Sequence, residues 1–233
     1  MMANRIRLTI GLLQGRSKHV YISERRRLVN GCHKQRLHFH SFHDAPYGLG
    51  QQMRITTVRL CLRELQAGDL CSLAGTINNP RITRNLTRVP WPYDLNDAQR
   101  FYEHTLTLPP QSAVYVITDR SNPDRLLGVI SYEGVADPEL GYWLDEPFWG
   151  KGIITEAARS VLRHAFIVTK VQRLLSRCIL GNEPSRRILV GLGFRPVGIG
   201  SVYSIARGRA VISQNFELTS KEWRYTTITE TRD

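Results

Sequence analysis

Trp149-Gly150-Lys151-Gly152 is the stretch of this 233-residue chain whose residue types point most directly to chemistry. Two glycines permit a tight turn and a close approach of the backbone to a bulky group, and the lysine between them adds a full positive charge. From Ile154 onward the apolar positions are Ile154, Ala157, Ala158, Val161, Leu162, Ala165 and Phe166, the spacing of one helix face. The first amides of a helix lack internal partners and lie at the positive end of its dipole. A helix start flanked by glycines is therefore an anion site, and phosphate is the group it fits. The same spacing also serves an ordinary strand-to-helix connection, so the turn alone does not decide the ligand. Two nucleotide motifs fit poorly. A P-loop needs a glycine where Asp145 stands and a Ser or Thr where Gly152 stands. A dinucleotide fold needs a third glycine where Thr155 stands.

The elements that must position this turn can be read on either side of it. Glu139 to Leu144 is short, aromatic and apolar, and predicts the strand that feeds the turn. Upstream, Val58 to Leu65 alternates apolar with polar residues and predicts a half-buried strand. Asp69 caps a helix carrying Leu70, Leu73, Ala74 and Ile77, and Asp94 or Asn96 caps a second through Ala98, Phe101, Tyr102 and Leu106. The polar stretch between them, with Trp91 and Tyr93, reads as loop. Ala113 to Thr118, Leu126 to Tyr132 and Glu139 to Leu144 are joined by short turns, hence an antiparallel meander. After the central helix come a strand over Arg173 to Leu180, a helix capped by Asn182 and ended by Gly193, and strands over Val202 to Ile205 and Val211 to Leu218.

Charge divides the chain unevenly. Of a net +12, residues 1–52 hold nine Lys or Arg against two Asp or Glu, and five of the seven histidines. That segment has no sustained period, so it is expected to be a basic, His-rich extension, disordered or dispensable, or upstream sequence attached by a wrong start assignment. The folded unit is expected over 53–233. His33, His38, His40 and His43 with Cys32 match no standard zinc spacing, and no metal is expected. Cys32, Cys61, Cys71 and Cys178 form no Cys-x-x-Cys pair and read as reduced thiols, which favours a cytoplasmic location. No apolar run is long enough to span a membrane, and no pattern for nucleic-acid binding accompanies the basic residues.

The order of elements, strand, two helices, three antiparallel strands, helix, strand, helix, two strands, resembles the GNAT superfamily of N-acetyltransferases. Local words agree with the RimJ/RimL branch: Glu139-Leu-Gly-Tyr-Trp-Leu144, Trp149-Gly-Lys-Gly152 before Thr155-Glu156-Ala157, Asn182-x-x-Ser185, and Leu192-Gly-Phe194. Asn85-Leu86 with Pro90-Trp91-Pro92-Tyr93, and Leu218-Thr219 to Glu222-Trp223, extend the match over about residues 54–224. The chain departs from the superfamily loop at Pro147, where Gln or Arg is usual, and at Ile153-Ile154, which replace a commoner Tyr-Ala pair.

The resemblance implies an α+β fold, layered α/β/α, with a mixed, mostly antiparallel, splayed central sheet. It implies transfer of an acetyl group from acetyl-CoA, with no metal, to a protein N-terminus or a small-molecule amine, by a monomer or homodimer. By the same resemblance Trp149, Gly150, Lys151, Gly152 and Ile153 hold the phosphates, while backbone amides near Trp143 and Leu144 meet the thioester and pantetheine arm. Asn182 contacts pantetheine, and Ser185 donates to the departing thiolate. Glu139 is the expected general base, with Glu133 as its substitute, and Trp91 and Tyr93 border the acceptor pocket. The alternative is a catalytically silent acetyl-CoA sensor or interaction module, which needs Gly150 and Gly152 but not Glu139 or Ser185.

Overall fold

Apolar side chains on both faces of the central strands require cover on both sides, and the fold supplies it. The computed structural model describes residues 54–223, together with the backbone of four short strands in the first 35 residues. The chain divides into two units, Met1–Gln51 and Gln52–Asp233. In the first, β1 (Ile6–Thr9) pairs antiparallel with β2 (His19–Ile22), and β3 (Arg26–Val29) with β4 (Cys32–Gln35). The expected dispensable extension and its histidine cluster otherwise lie outside the described residues.

The second unit is built on one eight-stranded sheet. Its strands are β5 (Ile55–Thr56), β6 (Leu60–Arg63), β7 (Ala113–Asp119), β8 (Asn122–Glu133), β9 (Glu139–Leu144), β10 (Arg173–Ile179), β11 (Arg195–Ser204) and β12 (Arg209–Thr219). They lie in the order β11-β12-β10-β9-β8-β7-β6-β5, antiparallel throughout except for β9 beside β10. One face packs on α4 (Ile153–Arg163) and α5 (Glu183–Gly191), with Tyr115, Ile130, Leu140, Leu162, Leu174 and Phe216 in its core. The other packs on α1 (Leu70–Ile77) and α3 (Leu95–Thr105), with Leu73, Ala98, Val116, Val129 and Trp143. Double cover explains why β6 is not the half-buried strand expected: Leu60, Cys61, Leu62 and Arg63 are all buried, and Val58 is left outside in the preceding bend.

Arg63 tolerates burial because Asp69 meets it with two hydrogen bonds, Nη1 to Oδ2 at 2.7 Å and Nη2 to Oδ1 at 2.8 Å. Asp69 precedes α1 as expected, but its carboxylate serves Arg63 instead of capping the helix amides. Asp94 does cap α3, accepting from the Asp97 N–H at 2.9 Å. The stretch read as loop after α1 contains one more short helix, α2 (Pro80–Thr83), capped by Asn79. Cys61 and Cys178 are buried free thiols, as the reduced reading expects at those two positions. Among the described residues no helix is long and apolar enough to cross a membrane.

Candidate active site in the parted sheet

Strands β9 and β10 begin as a parallel pair and then separate. Only Glu139 with Leu175 and Leu140 with Ser176 are in register, although both strands run on for several residues. Where pairing stops, Ser176 Oγ donates to the Leu140 carbonyl at 2.9 Å. Ladder alternation decides which backbone groups face the opening. The Asp145 N–H donates to Leu127 and the Leu175 N–H to Pro138, so Trp143 and Gly141 point their amides toward β8, while Tyr142 and Leu144 point theirs into the gap. Arg177 and Ile179 do the same from β10. The expected amide at Leu144 is therefore available, but that of Trp143 is spent on the β8 ladder, and Tyr142 takes its place.

At one end of the gap lies the glycine turn. Gly150 and Gly152 have φ of 73° and 71°, left-handed values that side chains with a Cβ rarely adopt. They turn the chain at the start of α4 beside the same cavity, which Trp149, Gly150, Gly152 and Ile153 all line. Ile153 and Ile154 are buried against the core, which is how the helix start accommodates two large residues. Lys151 is not among the lining residues; its ammonium sits over the Phe148 ring, 5.5 Å from the centroid. Trp149 Nε1 donates to the Leu144 carbonyl at 2.7 Å and so fixes the turn to β9.

The turn is also held from the connection between β5 and β6, by residues that no sequence motif marked. Arg59 Nη1 donates to the Lys151 carbonyl at 2.9 Å, and its Nε pairs with Glu156 at 2.6 Å. Glu156 also accepts from Thr57 Oγ1 at 2.5 Å and the Arg59 N–H at 3.0 Å. Burial works to raise the Glu156 carboxyl, but these donors outweigh it and hold the group below the usual carboxylate range.

On the α5 side, Asn182 accepts from the Ser185 N–H at 3.4 Å, so it is a helix cap, and both residues line the cavity. Ser185 Oγ lies 3.0 Å from the Tyr142 hydroxyl. Burial pushes that phenol well above the ordinary tyrosine range, keeping it a neutral hydroxyl.

The opposite face of the gap opens into a chamber beneath α1, α2 and α3. Cavity and chamber together enclose about 940 Å³. Glu133 and Glu139 oppose each other at the end of the β8–β9 ladder, and both line it. Glu139 is about one-third exposed, with Arg177 Nη2 at 3.6 Å. Glu133 has a side chain only 10% exposed; it accepts from Ser131 Oγ at 2.8 Å and lies 2.7 Å from His104 Nε2. Tyr93 lines the chamber as expected, with burial pushing its phenol up to about 12. Trp91 does not line it and is half exposed. The tip of the β11–β12 hairpin roofs this side, through Ile205 N–H to Thr87 at 3.0 Å and Arg207 Nε to Arg84 at 2.8 Å.

A mixed sheet parted beside a glycine-turned helix start is the architecture of an acyltransferase that takes its acyl group from coenzyme A. The model of the acetyltransferase (GNAT) domain matches residues 59–195, more than half of the chain, and the chain belongs to that family. It is 25% identical over 173 residues to the uncharacterized N-acetyltransferase p20 of Bacillus licheniformis, covering 72% of this chain and 96% of that protein. A shorter match, 33% over 75 residues, is to the ribosomal-protein-serine acetyltransferase of Escherichia coli strain K12, covering 30% of this chain and 42% of that protein. The fold is shared with RimL, the ribosomal L7/L12 alpha-N-protein acetyltransferase, solved with coenzyme A, at TM-score 0.62 and 18% identity over 72% of this chain and 98% of that one. Spermidine N-acetyltransferase from Vibrio cholerae, solved with CoA and spermine, is similar at TM-score 0.62 and 17% identity over 72% and 99%. The chain is thus an acyltransferase of the GNAT family, with a RimJ/RimL-type pattern.

Proposed function

We propose that the chain moves an acetyl group from acetyl-CoA to a primary amine, the α-amine of a protein N-terminus or a small-molecule amine. One observation carries the reading: the Tyr142 and Leu144 amides stand in a gap between a glycine-flanked helix start and a chamber lined by carboxylates. The phosphates of the donor take the amides from Gly150 to the first turn of α4, and the pantetheine arm lies along the free edge of β9 beside Asn182. The thioester oxygen, which gains charge as the amine attacks, accepts from Tyr142 or Leu144.

An amine attacks only through its lone pair. An α-amine with pKa about 7.7 to 8.0 is partly neutral at pH 7, whereas a lysine-like amine at about 10.4 hardly is, so a base matters most for the latter. Glu139 and Glu133 are both in reach of the chamber. Each has an arginine near it, Arg88 at 3.9 Å from Glu133 and Arg177 at 3.6 Å from Glu139, but Glu133 has the more favourable setting, since it is nearly buried and Ser131 and His104 fix its carboxylate. We assign the base to Glu133 and a supporting charge to Glu139. Collapse of the tetrahedral adduct forms the amide and breaks the C–S bond. The thiolate, with a pKa near that of cysteine, about 8.5, receives the second proton of the attacking nitrogen by way of the Ser185 hydroxyl, which gives one proton to sulfur as it regains one from nitrogen and is backed by Tyr142.

The test is thiol release from acetyl-CoA against Ser- and Ala-initiated peptides and spermidine, with the native chain, Glu133→Gln and Glu139→Gln. The expected result is turnover on one acceptor class, reduced at least about tenfold in Glu133→Gln and less in Glu139→Gln. Tight acetyl-CoA binding with no acceptor consumed would overturn transfer in favour of a sensor, and full activity in Glu133→Gln would move the base to Glu139.

A further inference from the structure

Each turnover sheds one proton. An ammonium and a thioester become an amide and a thiol, and of the two protons that leave the nitrogen only one is taken up by sulfur. The other must leave a nearly buried carboxylate before the next cycle. We propose that His104 is its exit, taking the proton from Glu133 and passing it to solvent. The proposal rests on the reading of Glu133 as base.

Four features of the pair support it. The two carboxylate oxygens are differentiated, because Ser131 Oγ donates to Oε1 at 2.8 Å while Oε2 faces His104 Nε2 at 2.7 Å. The pair spans the wall of the chamber, with 10% of the Glu133 side chain exposed and 52% of that of His104. His104 lies in the last turn of α3, where the carbonyl end of the helix favours a cation. Imidazole is also the side chain suited to exchanging protons near neutral pH, with one nitrogen receiving as the other releases.

The steps balance without any further reactant. An N–H bond of the ammonium breaks, its electron pair stays on nitrogen, and an O–H bond forms at Glu133. That O–H then breaks as Nε2–H forms, leaving carboxylate and imidazolium. The Nδ1 proton passes to water, and exchange with solvent at the exposed ring returns the neutral imidazole from its Nε2–H to its Nδ1–H form, so both groups regain their starting charge and protonation.

The charged groups around the pair come from every neighbouring element. Arg88, on the loop after α2, is 3.9 Å from Glu133 Oε1. Arg100 lies one turn earlier on α3 and pairs with Asp97, and Glu103 adjoins His104 and accepts from Gln99. Across the ladder stand Glu139 and its partner Arg177. His104 touches no reacting atom and is a positioning and relay residue, so its test must separate relay from contact.

His104→Gln provides that separation, because an amide N–H can still reach Glu133 but cannot carry a proton onward. With the best acceptor of the peptide and spermidine panel, His104→Gln should lower kcat about tenfold or more while leaving KM for the acceptor within about twofold. Imidazole added to His104→Ala should restore kcat saturably, and should do nothing for Glu133→Gln. His104→Gln at the native rate across pH 6 to 9, or His104→Ala unmoved by imidazole, would overturn the relay. Glu133→Gln at the native rate would instead overturn the base, so the two failures are told apart.

Discussion

At the scale of single residues, the fold spends its charges with care. Arg63 and Asp69 are both nearly inaccessible, and each is the other's main compensation. Removing one partner strands a buried charge, a loss of about 3 to 5 kcal/mol, whereas replacing both with apolar residues of similar size is often neutral. Asp69→Ala should therefore shift the denaturant midpoint strongly downward, and Arg63→Met with Asp69→Leu should recover most of the loss. An apolar pair as unstable as Asp69→Ala would mean that the ion pair does more than compensate itself. Tyr142 and His104 show the limit of reading at this scale. Both faces of β9 are buried, so no apolar alternation told Tyr142 from Trp143 as the strand residue whose amide is free. A lone histidine in a polar helix turn gave no sign that Glu133, 29 positions away, would meet it.

Among elements, the connection from β5 to β6 is the least obvious part of the site. It contributes no lining residue, yet Thr57 and Arg59 hold Glu156 and through it the start of α4. Glu156→Gln should raise KM for acetyl-CoA with little change in kcat, because it loosens the turn without touching the acceptor chamber. The same clamp has a pH signature. The Glu156 carboxyl is depressed on folding, so its contribution to stability is complete above the unfolded value of about 4.3 and is lost as pH falls through the lower folded value. Thermal unfolding of the native chain should therefore weaken in that acid range more steeply than that of Glu156→Gln; parallel profiles would show that the donors leave the carboxyl unshifted. Legibility of elements followed their periodicity. β9 begins and ends at the residues expected, and α4 begins at Ile153, one residue before the period read from Ile154, because their apolar residues are consecutive or recur every third and fourth position. The central helix was expected to run to Phe166, but after Arg163 it widens into a π turn over His164–Val168. α2 is a single turn, too short for any period to show, and β11 starts seven residues earlier than expected because its outward stretch, rich in glycine, carries no buried alternation.

For the whole molecule, the matched family domain begins at residue 59 and the sheet at Ile55. We therefore expect residues 53–233 to retain both acetyl-CoA binding and turnover, measured by thiol release beside the full chain. An insoluble or inactive product would assign residues 1–52 a structural role. The surplus charge of that segment, seven of the net twelve, would then be a property of the fold and not an appendage to it.

The two in-register pairs between β9 and β10 carry a consequence for the sheet as a mechanical object. On either side of that seam lie two panels, β6 to β9 and β10 to β12, each stitched by longer antiparallel ladders, while the seam itself is stitched only at one end. In the binding mode proposed above, a donor arm with amide groups, laid along Tyr142 and Leu144, would complete the stitching that the protein leaves undone. On the proposed binding mode the donor serves as a transient strand, and the seam is closed along its length only while coenzyme A, acetylated or free, lies in it.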